Sequence, residues 1–575
     1  MTARVGRGLA AAAALIAAVT ILARVVGFAK QLVLARTVDT GCLATAYFTA
    51  NQVPNIVFEV VVGGALAGMI VPVLAGAASR SSAPVPAGSR AAPVGGGAAG
   101  EGAESSAESS AEEARDRVGR ITSALLSWVL VLLVPLGALT ALAARPVMEL
   151  FAGQVRGCDP GDLLDTATRM LVVFAPQIPL YGLAVVLYGV LQAHRRFTGP
   201  ALAPLVSSLV VIVAYLLFVP LAHGVTAPLT AVPRPAELAL SVGTTLGVLA
   251  LVVTVIGPSS RLGLRLRPTL RFPEGVAARV RRLAVAGLSA LIAQQAAAAL
   301  VVWLANRYLG AGGLPGYNFA WAIYQVPYAV LAVPIATSAF PALSARAEEG
   351  DGHGFAVLSA QTTRAVILVS GIAAGALAGV AVPVAEVFVG GKAGEVPPAE
   401  LARAIALFAP GLLGYGLIAH LGRVLYARGR GRAAAAGTVA GWLVVMAAQT
   451  AFAVAFPADW RLGGLAFGSA VGMTAGGALL MAAVLRSGGA AALAGVGRAT
   501  LAAVLGGGAG FVAGLWVAAL LPARGPVAGA AVTVPAGAAA LVAALAVALV
   551  VDRPDVMAAL SRVRGGGRGG NGGDG

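Results

Sequence analysis

The chain has 575 residues, of which 58% are hydrophobic and 11% are charged, and its mean hydropathy is +0.87. A soluble domain of this composition would lack polar groups for its surface, so an ordinary soluble fold is excluded. The net charge of +16 is carried by short loops between apolar stretches, which indicates membrane topology rather than binding to nucleic acid.

Apolar windows of about 20 residues recur along the chain and do not alternate as barrel strands would. They predict an all-α polytopic membrane protein with about 14 transmembrane helices. The first apolar run is too long for a signal peptide, so we expect it to be retained. The predicted spans cover residues 9–37, 44–77, 119–144, 163–193, 200–222, 237–257, 280–309, 316–344, 356–389, 399–427, 433–456, 463–485, 496–521 and 526–551.

Basic residues concentrate in alternate loops, as the positive-inside rule requires of cytoplasmic loops. The loop after span 6 is the richest, with seven arginines between Arg261 and Arg282, whereas the opposite loops hold single basic residues. This pattern predicts a multi-pass protein of the cytoplasmic membrane with both termini in the cytoplasm.

The chain divides into seven predicted segments. Residues 79–118 are rich in Ser, Ala, Gly and Glu, which indicates a disordered cytoplasmic loop. The others are 1–78 (helices 1–2 of an N-lobe), 119–257 (its helices 3–6), 258–279 (a basic cytoplasmic linker), 280–486 (a C-lobe of helices 7–12), 487–551 (helices 13–14) and 552–575 (a Gly/Arg-rich cytoplasmic tail).

An internal repeat supports this division. The sequence Phe174-Ala175-Pro176 with nearby matches up to Arg196 reappears from Phe408 to Arg430 at a constant offset of 234 residues. Gln52-Val53-Pro54 reappears as Gln325-Val326-Pro327. Because each copy contains six helices, an even number, the two copies share one orientation. We therefore expect two parallel six-helix lobes with a cavity between them, and two further helices.

Polar and ionisable groups inside the spans are the candidate substrate-binding residues, because such groups are costly in a bilayer unless they face water or a partner. Arg24 and Lys30 lie in the first span, where Arg24 either borders a cavity or pairs with Glu59. The other candidates are Asn51, Gln52, Asn55, Glu59 and Gln325. Gln294, Gln295 and Gln325 are alternatively hydrogen-bonding groups between helices.

Four prolines at matching places in the two copies are candidate gating or kink positions, since proline removes a helical hydrogen bond. They are Pro54, Pro72, Pro327 and Pro341. The alternative is that these kinks serve only packing.

The sequence shows no enzyme, nucleotide-binding or metal-site pattern. We therefore expect a transporter without a cofactor, which an ion gradient or the membrane potential would drive. Cys42 and Cys158 both lie near predicted external loops, and both a disulfide and two free thiols are compatible with this placement.

Several motifs resemble the MurJ (MviN) lipid II flippases of the MOP exporter superfamily, in their actinobacterial form. The opening helices carry Arg24-Val25-Val26-Gly27-Phe28-Ala29-Lys30, Pro54-Asn55 and Val71-Pro72-Val73-Leu74. Span 8 carries Tyr324-Gln325-Val326-Pro327-Tyr328 and Pro341-Ala342-Leu343-Ser344. The resemblance covers about residues 15–435.

The resemblance implies a flippase that moves lipid II, an undecaprenyl-pyrophosphate-linked peptidoglycan precursor, from the inner to the outer leaflet by alternating access. It also implies that Arg24 and Lys30 serve the pyrophosphate. The chain has Phe58 and Glu59 where other members carry an arginine pair. Membrane lipids and the cell-wall synthesis machinery are further expected partners.

Two alternative functions remain. One is a related exporter of another polyprenyl-linked glycan or of a small molecule, and the other is a membrane scaffold for cell-wall synthesis that transports nothing. An exporter of small cations would be expected to place acidic groups in its cavity.

Overall fold

A computed structural model describes residues 2–60, 99–272, 276–391, 394–522 and 524–558, with side chains from residue 18 onward except 61–111, 114 and 273–287. We number its α-helices in chain order. They are α1 Thr2–Thr37, α2 Cys42–Phe58, α3 Ala99–Leu142, α4 Ala144–Ala152, α5 Pro160–Phe174, α6 Gln177–Ala193, α7 Thr198–Ala222, α8 Arg234–Ser260, α9 Val276–Leu304, α10 Gly313–Pro327, α11 Val333–Glu348, α12 Gly352–Gly379, α13 Ala381–Val389, α14 Pro398–Phe408, α15 Gly411–Ala427, α16 Gly431–Ala455, α17 Arg461–Gly488, α18 Val496–Leu520 and α19 Pro526–Val551.

The apolar helices agree with the predicted all-α membrane fold. Within the described residues, twelve helices are long and apolar enough to cross a membrane, and α14 with α15, bent by 41°, makes a thirteenth. The remaining predicted span, 44–77, contains α2 and is described only to residue 60.

Part of the predicted disordered loop is helical, which corrects the interpretation of 79–118. Residues 99–118 continue α3 at its amino-terminal end, whereas 79–98 lie outside the described residues. Low hydrophobicity shows that this segment cannot form a core, but Ala, Glu and Arg favour a helix even without one.

The internal repeat is visible in the helix boundaries. The break between α5 and α6 follows Phe174, and the break between α14 and α15 follows Phe408, which is the same offset of 234 residues. Helices α6 and α15 each have 17 residues, and the helices that follow them, α7 and α16, each have 25. Helices α1–α8 therefore form the N-lobe and α9–α17 the C-lobe.

Helix α18 packs on α12 of the C-lobe through glycines. A Cβ atom on Gly375 would lie 2.0 Å from the carbonyl oxygen of Gly507, and one on Gly507 would lie 2.7 Å from that of Gly371. Such small residues let membrane helices approach closely. Beyond α19, Asp555 accepts from Arg364 of α12 at 2.7 Å, and Arg498 of α18 pairs with Asp552 at 3.0 Å.

A disulfide joins Cys42 at the start of α2 to Cys158 in the loop before α5. The sequence left the state of these cysteines open, because pairing depends on a spatial approach that 116 residues of intervening chain do not reveal. The bond fixes two N-lobe loops that lie on the predicted outer side.

Candidate functional site

A cavity of about 340 Å³ lies between the lobes. One wall is α2 of the N-lobe, and the others are α9, α10 and α16 of the C-lobe. Four of the predicted substrate-binding residues line it together, namely Gln52, Asn55, Glu59 and Gln325. The remaining lining residues are Gln294, Gln295, Ala297, Ala298, Val301, Val302, Leu314, Tyr317, Asn318, Trp321, Trp442, Val445 and Gln449. We call this space the central cavity.

The central cavity lies near the predicted middle of the membrane. Gln52 lies ten residues into α2 and Gln325 twelve residues into α10, and both helices start at the predicted outer side. At about 1.5 Å per residue, both side chains lie about 15–18 Å below that end of a hydrocarbon core about 30 Å thick. Transporters built from repeats commonly bind their substrates at this depth.

The chemistry of the central cavity is that of carboxamides and aromatic rings. Seven of its lining residues are Asn or Gln, and Glu59 is the charged one among those that the structure describes. Tyr181 donates to the Asn55 side chain at 3.3 Å. Amides both donate and accept, so this wall suits a neutral polar ligand rich in hydroxyl and amide groups.

The other three predicted substrate-binding residues do not line the central cavity. Arg24 is exposed on α1, near enough to Tyr328 of the C-lobe for an electrostatic interaction. Tyr328 stacks on Tyr415 with ring centroids 3.9 Å apart. Lys30 is half-buried, and Asn51 is half-buried with its side-chain oxygen unpaired.

The predicted kink positions differ in their local structure. Pro54 and Pro327, which match each other in the repeat, are each followed by π-helical residues, at Glu59 and Val60 directly after α2 and at Tyr328–Ala332 after α10. Such turns widen a helix and are frequent at functional sites. Pro341 lies inside the continuous helix α11, and Pro72 lies outside the described residues.

The lobes meet above the central cavity, at the ends of helices that the charge pattern places outside. Thr45 accepts from the backbone amide of Gly312 at 3.1 Å, and Asn306 donates to the Thr49 hydroxyl at 3.0 Å. Asn306 also donates to the Phe151 carbonyl oxygen at 2.8 Å. We call Thr45, Thr49, Asn306 and Gly312 the outer gate. It is closed, so the structure is closed at the end that the charge pattern places outside.

An aromatic layer below the outer gate completes the seal. The ring centroids of Phe48 and Phe319 lie 5.7 Å apart across the lobes, and those of Phe28 and Phe388 lie 5.6 Å apart. Phe319 and Phe388 also touch each other, at 5.9 Å. Because aromatic contacts of this kind exclude water, the layer isolates the central cavity from the outer side.

The sequence interpretation missed three polar residues of the gate and the cavity, namely Asn306, Asn318 and Gln449. Asn306 is buried in the outer gate, and Asn318 and Gln449 line the central cavity. All three are carboxamides inside apolar spans, so the rule that selected Gln52 and Asn55 would also have selected them.

Comparison with known proteins first defines the class. A solved structure described as lipid II flippase MurJ in an inward closed conformation superposes with a TM-score of 0.68 at 15% identity, covering 94% of this chain and 99% of that one. An inward-facing multidrug resistance MATE family transporter of the MOP superfamily gives 0.56 at 13% identity, covering 81% and 98%. The fold is therefore that of a two-lobed MOP-type transporter.

The sequence comparisons identify the family. The family profile described as lipid II flippase MurJ matches residues 34–521, so the chain belongs to this family. The lipid II flippase MurJ of Burkholderia cenocepacia is 27% identical over 418 residues, which are 71% of each chain. A probable lipid II flippase MurJ of Vibrio cholerae is 22% identical over 423 residues, which are 72% of each chain. The resemblance noted in the sequence is thereby confirmed.

Proposed function

We propose that the chain moves lipid II from the inner to the outer leaflet of the cytoplasmic membrane, and that it does so by alternating access. The observation that carries the mechanism is the central cavity, which is bordered by both lobes and sealed on its outer side by hydrogen bonds and aromatic contacts. Membership of the lipid II flippase family supports the choice of substrate.

The central cavity would take the sugar and peptide parts of the headgroup. Its carboxamides can pair with hydroxyl and amide groups, and Trp321 and Trp442 offer flat apolar faces for sugar rings. The pyrophosphate needs cations instead, and Arg24 and Lys30 on α1 supply them. Arg24 interacts electrostatically with Tyr328 of the C-lobe, so in this proposal the two parts of one headgroup are held by both lobes.

Opening of the outer gate would release the substrate. Water that enters weakens the contacts between the pyrophosphate and its cations, because charge pairs are much weaker in a high dielectric. An inside-negative membrane potential favours outward movement of an anion by about 2.3 kcal/mol per charge per 100 mV. The potential is therefore our proposed drive.

A vesicle assay tests this function. The purified protein is reconstituted into vesicles that carry fluorescent lipid II in both leaflets, and access of an external quencher or modifying enzyme to the inner pool is followed over time. We expect the protein to make the inner pool of lipid II accessible from outside. Translocation should be faster when a potassium gradient with valinomycin makes the outside of the vesicles positive. Exposure no faster than in protein-free vesicles would contradict the proposal.

The alternative functions give different results in the same assay. An exporter of another polyprenyl-linked glycan would move that lipid and leave lipid II in place, and a scaffold would move neither. A binding site for small cations would need acidic groups, and Glu59 is the one acidic residue among the described residues that line the central cavity.

A further inference from the structure

A second cavity, of about 430 Å³, lies at the outer end of the molecule between the lobes. Three arginines line it: Arg156 from the loop before α5 in the N-lobe, Arg307 from the turn after α9, and Arg461 at the start of α17. Its other lining residues are Gln154, Val155, Pro160 and Tyr308, so none of the lining residues is acidic. We call this space the outer arginine pocket.

The arginines are held in place by neutral groups. Arg461 donates to the Tyr308 carbonyl oxygen at 2.9 Å, and Arg156 donates to the same oxygen. Arg307 donates to the Gln154 side chain. Among the residues that the structure describes, no carboxylate lies within 4.0 Å of these three guanidiniums.

This convergence requires an explanation, because three positive charges that share one cavity repel each other. Membrane topology does not supply one, since the predicted outer loops are the side on which basic residues are scarce. Each guanidinium has five N–H donors and uses few of them on these partners. The remaining donors match an oxyanion with several oxygens, such as a phosphate or pyrophosphate group.

The pocket exists only while the outer gate is closed. Arg156 belongs to the N-lobe, but its partner Tyr308 and both other arginines belong to the C-lobe. The Arg156 carbonyl oxygen also accepts from Ala311 at 2.8 Å, next to the contact of Thr45 with Gly312. The disulfide at Cys158 holds the Arg156 loop to the start of α2, so this loop must move with the N-lobe half of the gate.

We propose that the outer arginine pocket binds a phosphate-type oxyanion from the outer side and thereby favours closure of the outer gate. A ligand that binds one of two states shifts the equilibrium toward that state. The oxyanion is either a soluble phosphate or pyrophosphate, or the phosphate group of a lipid in the outer leaflet. Binding after substrate release would return the protein to its inward-facing state. This step rests on the alternating access proposed above.

Distance measurements between the lobes test the proposal. Spin labels are attached to Thr230→Cys in the N-lobe and Ala458→Cys in the C-lobe, both exposed on the outer side, while the native cysteines stay paired. The full chain is placed in phosphatidylcholine nanodiscs and titrated with sodium pyrophosphate. At ten times the dissociation constant, the ratio of closed to open molecules should rise about tenfold, because the ligand adds to the closed state alone.

Arginine variants identify the site. Pyrophosphate should lose its effect in the Arg156→Gln/Arg307→Gln/Arg461→Gln variant. Arg307→Gln alone keeps both contacts to Tyr308 and should weaken binding at least tenfold, which covers the case that the triple variant does not fold. Arg524→Gln is the matched control, since Arg524 is exposed on the same predicted side but does not line the pocket.

A lipid arm separates the two sources of the oxyanion. The same distances are measured in nanodiscs that contain phosphatidylglycerol, without pyrophosphate. Closure by pyrophosphate in phosphatidylcholine assigns the soluble anion, and closure in phosphatidylglycerol alone assigns a lipid headgroup. The proposal is wrong if neither closes the gate, or if closure is equal in the Arg307→Gln and Arg524→Gln variants. Lipid II translocation is measured separately, so failure of the pocket and failure of the transport function can be distinguished.

Discussion

Arg24 is the residue that most directly tests how the pyrophosphate is held. Arg24 is exposed on α1 and interacts electrostatically with Tyr328 of the C-lobe, and it has no carboxylate partner within 4.0 Å among the described residues. We expect Arg24→Ala to slow lipid II translocation in vesicles about 10- to 100-fold, because a hydrogen bond to a charged group is worth about 1.5–3 kcal/mol.

Arg430→Ala is the control for this prediction, since Arg430 is an exposed arginine in the loop before α16 and does not line the central cavity. Protein amounts in the membrane are compared for both variants. Equal translocation by Arg24→Ala and the unchanged protein would remove Arg24 from the substrate path.

Asn306 should determine the stability of the closed outer gate. Its buried side chain donates to both Thr49 and Phe151, so Asn306→Ala leaves two acceptors without a donor at a cost of about 1–3 kcal/mol each. We expect the variant to populate the outward-open state. The measurement is the rate at which a membrane-impermeant thiol reagent, added outside, labels Ala320→Cys, which is buried below the gate.

Asn318→Ala is the matched control for this measurement, because its side chain donates to Leu314 of its own helix rather than across the lobes. Labelling should accelerate at least tenfold in Asn306→Ala and little in the control. Equal rates in both variants would show that Asn306 does not hold the gate.

At this scale the sequence selects candidates as polar residues that interrupt an apolar span, and their role in substrate binding stays a prediction. Gln52, Asn55, Glu59 and Gln325 were selected in that way and line one cavity. Sequence alone does not show which side of a helix faces a cavity. It could therefore not separate Gln52, which lines the central cavity, from its neighbour Asn51, which does not. The arginines of the outer pocket escape prediction because each is a single basic residue, Arg156 and Arg461 in separate outer loops and Arg307 at the outer end of a predicted span.

Among the structural elements, the disulfide gives the N-lobe half of the outer gate its rigidity. It connects the start of α2 to the loop before α5, and both carry residues that contact the C-lobe. The Cys42→Ser/Cys158→Ser variant should unfold at a lower temperature, since removing a cross-link typically costs about 2–4 kcal/mol.

Thermal unfolding with and without a reducing agent measures this effect. Reduction should lower the melting temperature of the unchanged protein to that of the double variant and should leave the double variant unaffected. A reduced protein that melts at the oxidised temperature would show that the bond contributes no stability.

The packing of α18 on α12 depends on the absence of a side chain at Gly507. A Cβ there would lie 2.7 Å from the Gly371 carbonyl oxygen, so Gly507→Ala must push the helices apart, at a cost of about 1–3 kcal/mol. Its neighbour Gly508 has no atom within 4 Å of an added Cβ. Gly507→Ala should therefore lower the melting temperature, whereas Gly508→Ala should leave it unchanged or raise it. The reverse order would contradict this packing.

The helices themselves were largely predictable, since a run of about 20 apolar residues indicates a membrane-spanning helix. The constant offset of 234 residues also predicted the equivalent breaks after Phe174 and Phe408. Composition failed at residues 99–118, because an Ala- and Glu-rich segment can be helical without a core. The short helices α4 and α13 were not predicted as separate helices, because hydropathy is averaged over a window longer than either. The sequence analysis left α4 in a loop and included α13 in the span 356–389.

In the described residues the molecule consists of two repeats of one lobe and two further helices, with the lobes closed at the predicted outer end and a polar cavity between them near the predicted middle of the membrane. Duplication explains this arrangement, because two lobes of the same orientation can rock against each other about a shared cavity. The sequence predicted the lobes and the cavity. It could not predict which end is closed, since the two states of such a transporter share one sequence and differ little in free energy.

Linking the two lobes at the aromatic layer tests the central claim, that transport requires the lobes to separate. Phe48 and Phe319 touch across the lobes, and the variant Phe48→Cys/Phe319→Cys can be linked by a short bifunctional thiosulfonate reagent while the native cysteines remain paired. Variants with either cysteine alone, treated identically, are the controls. We predict that the linked protein stops translocating labelled lipid II in vesicles while both controls continue. Undiminished translocation by the fully linked protein would contradict alternating access.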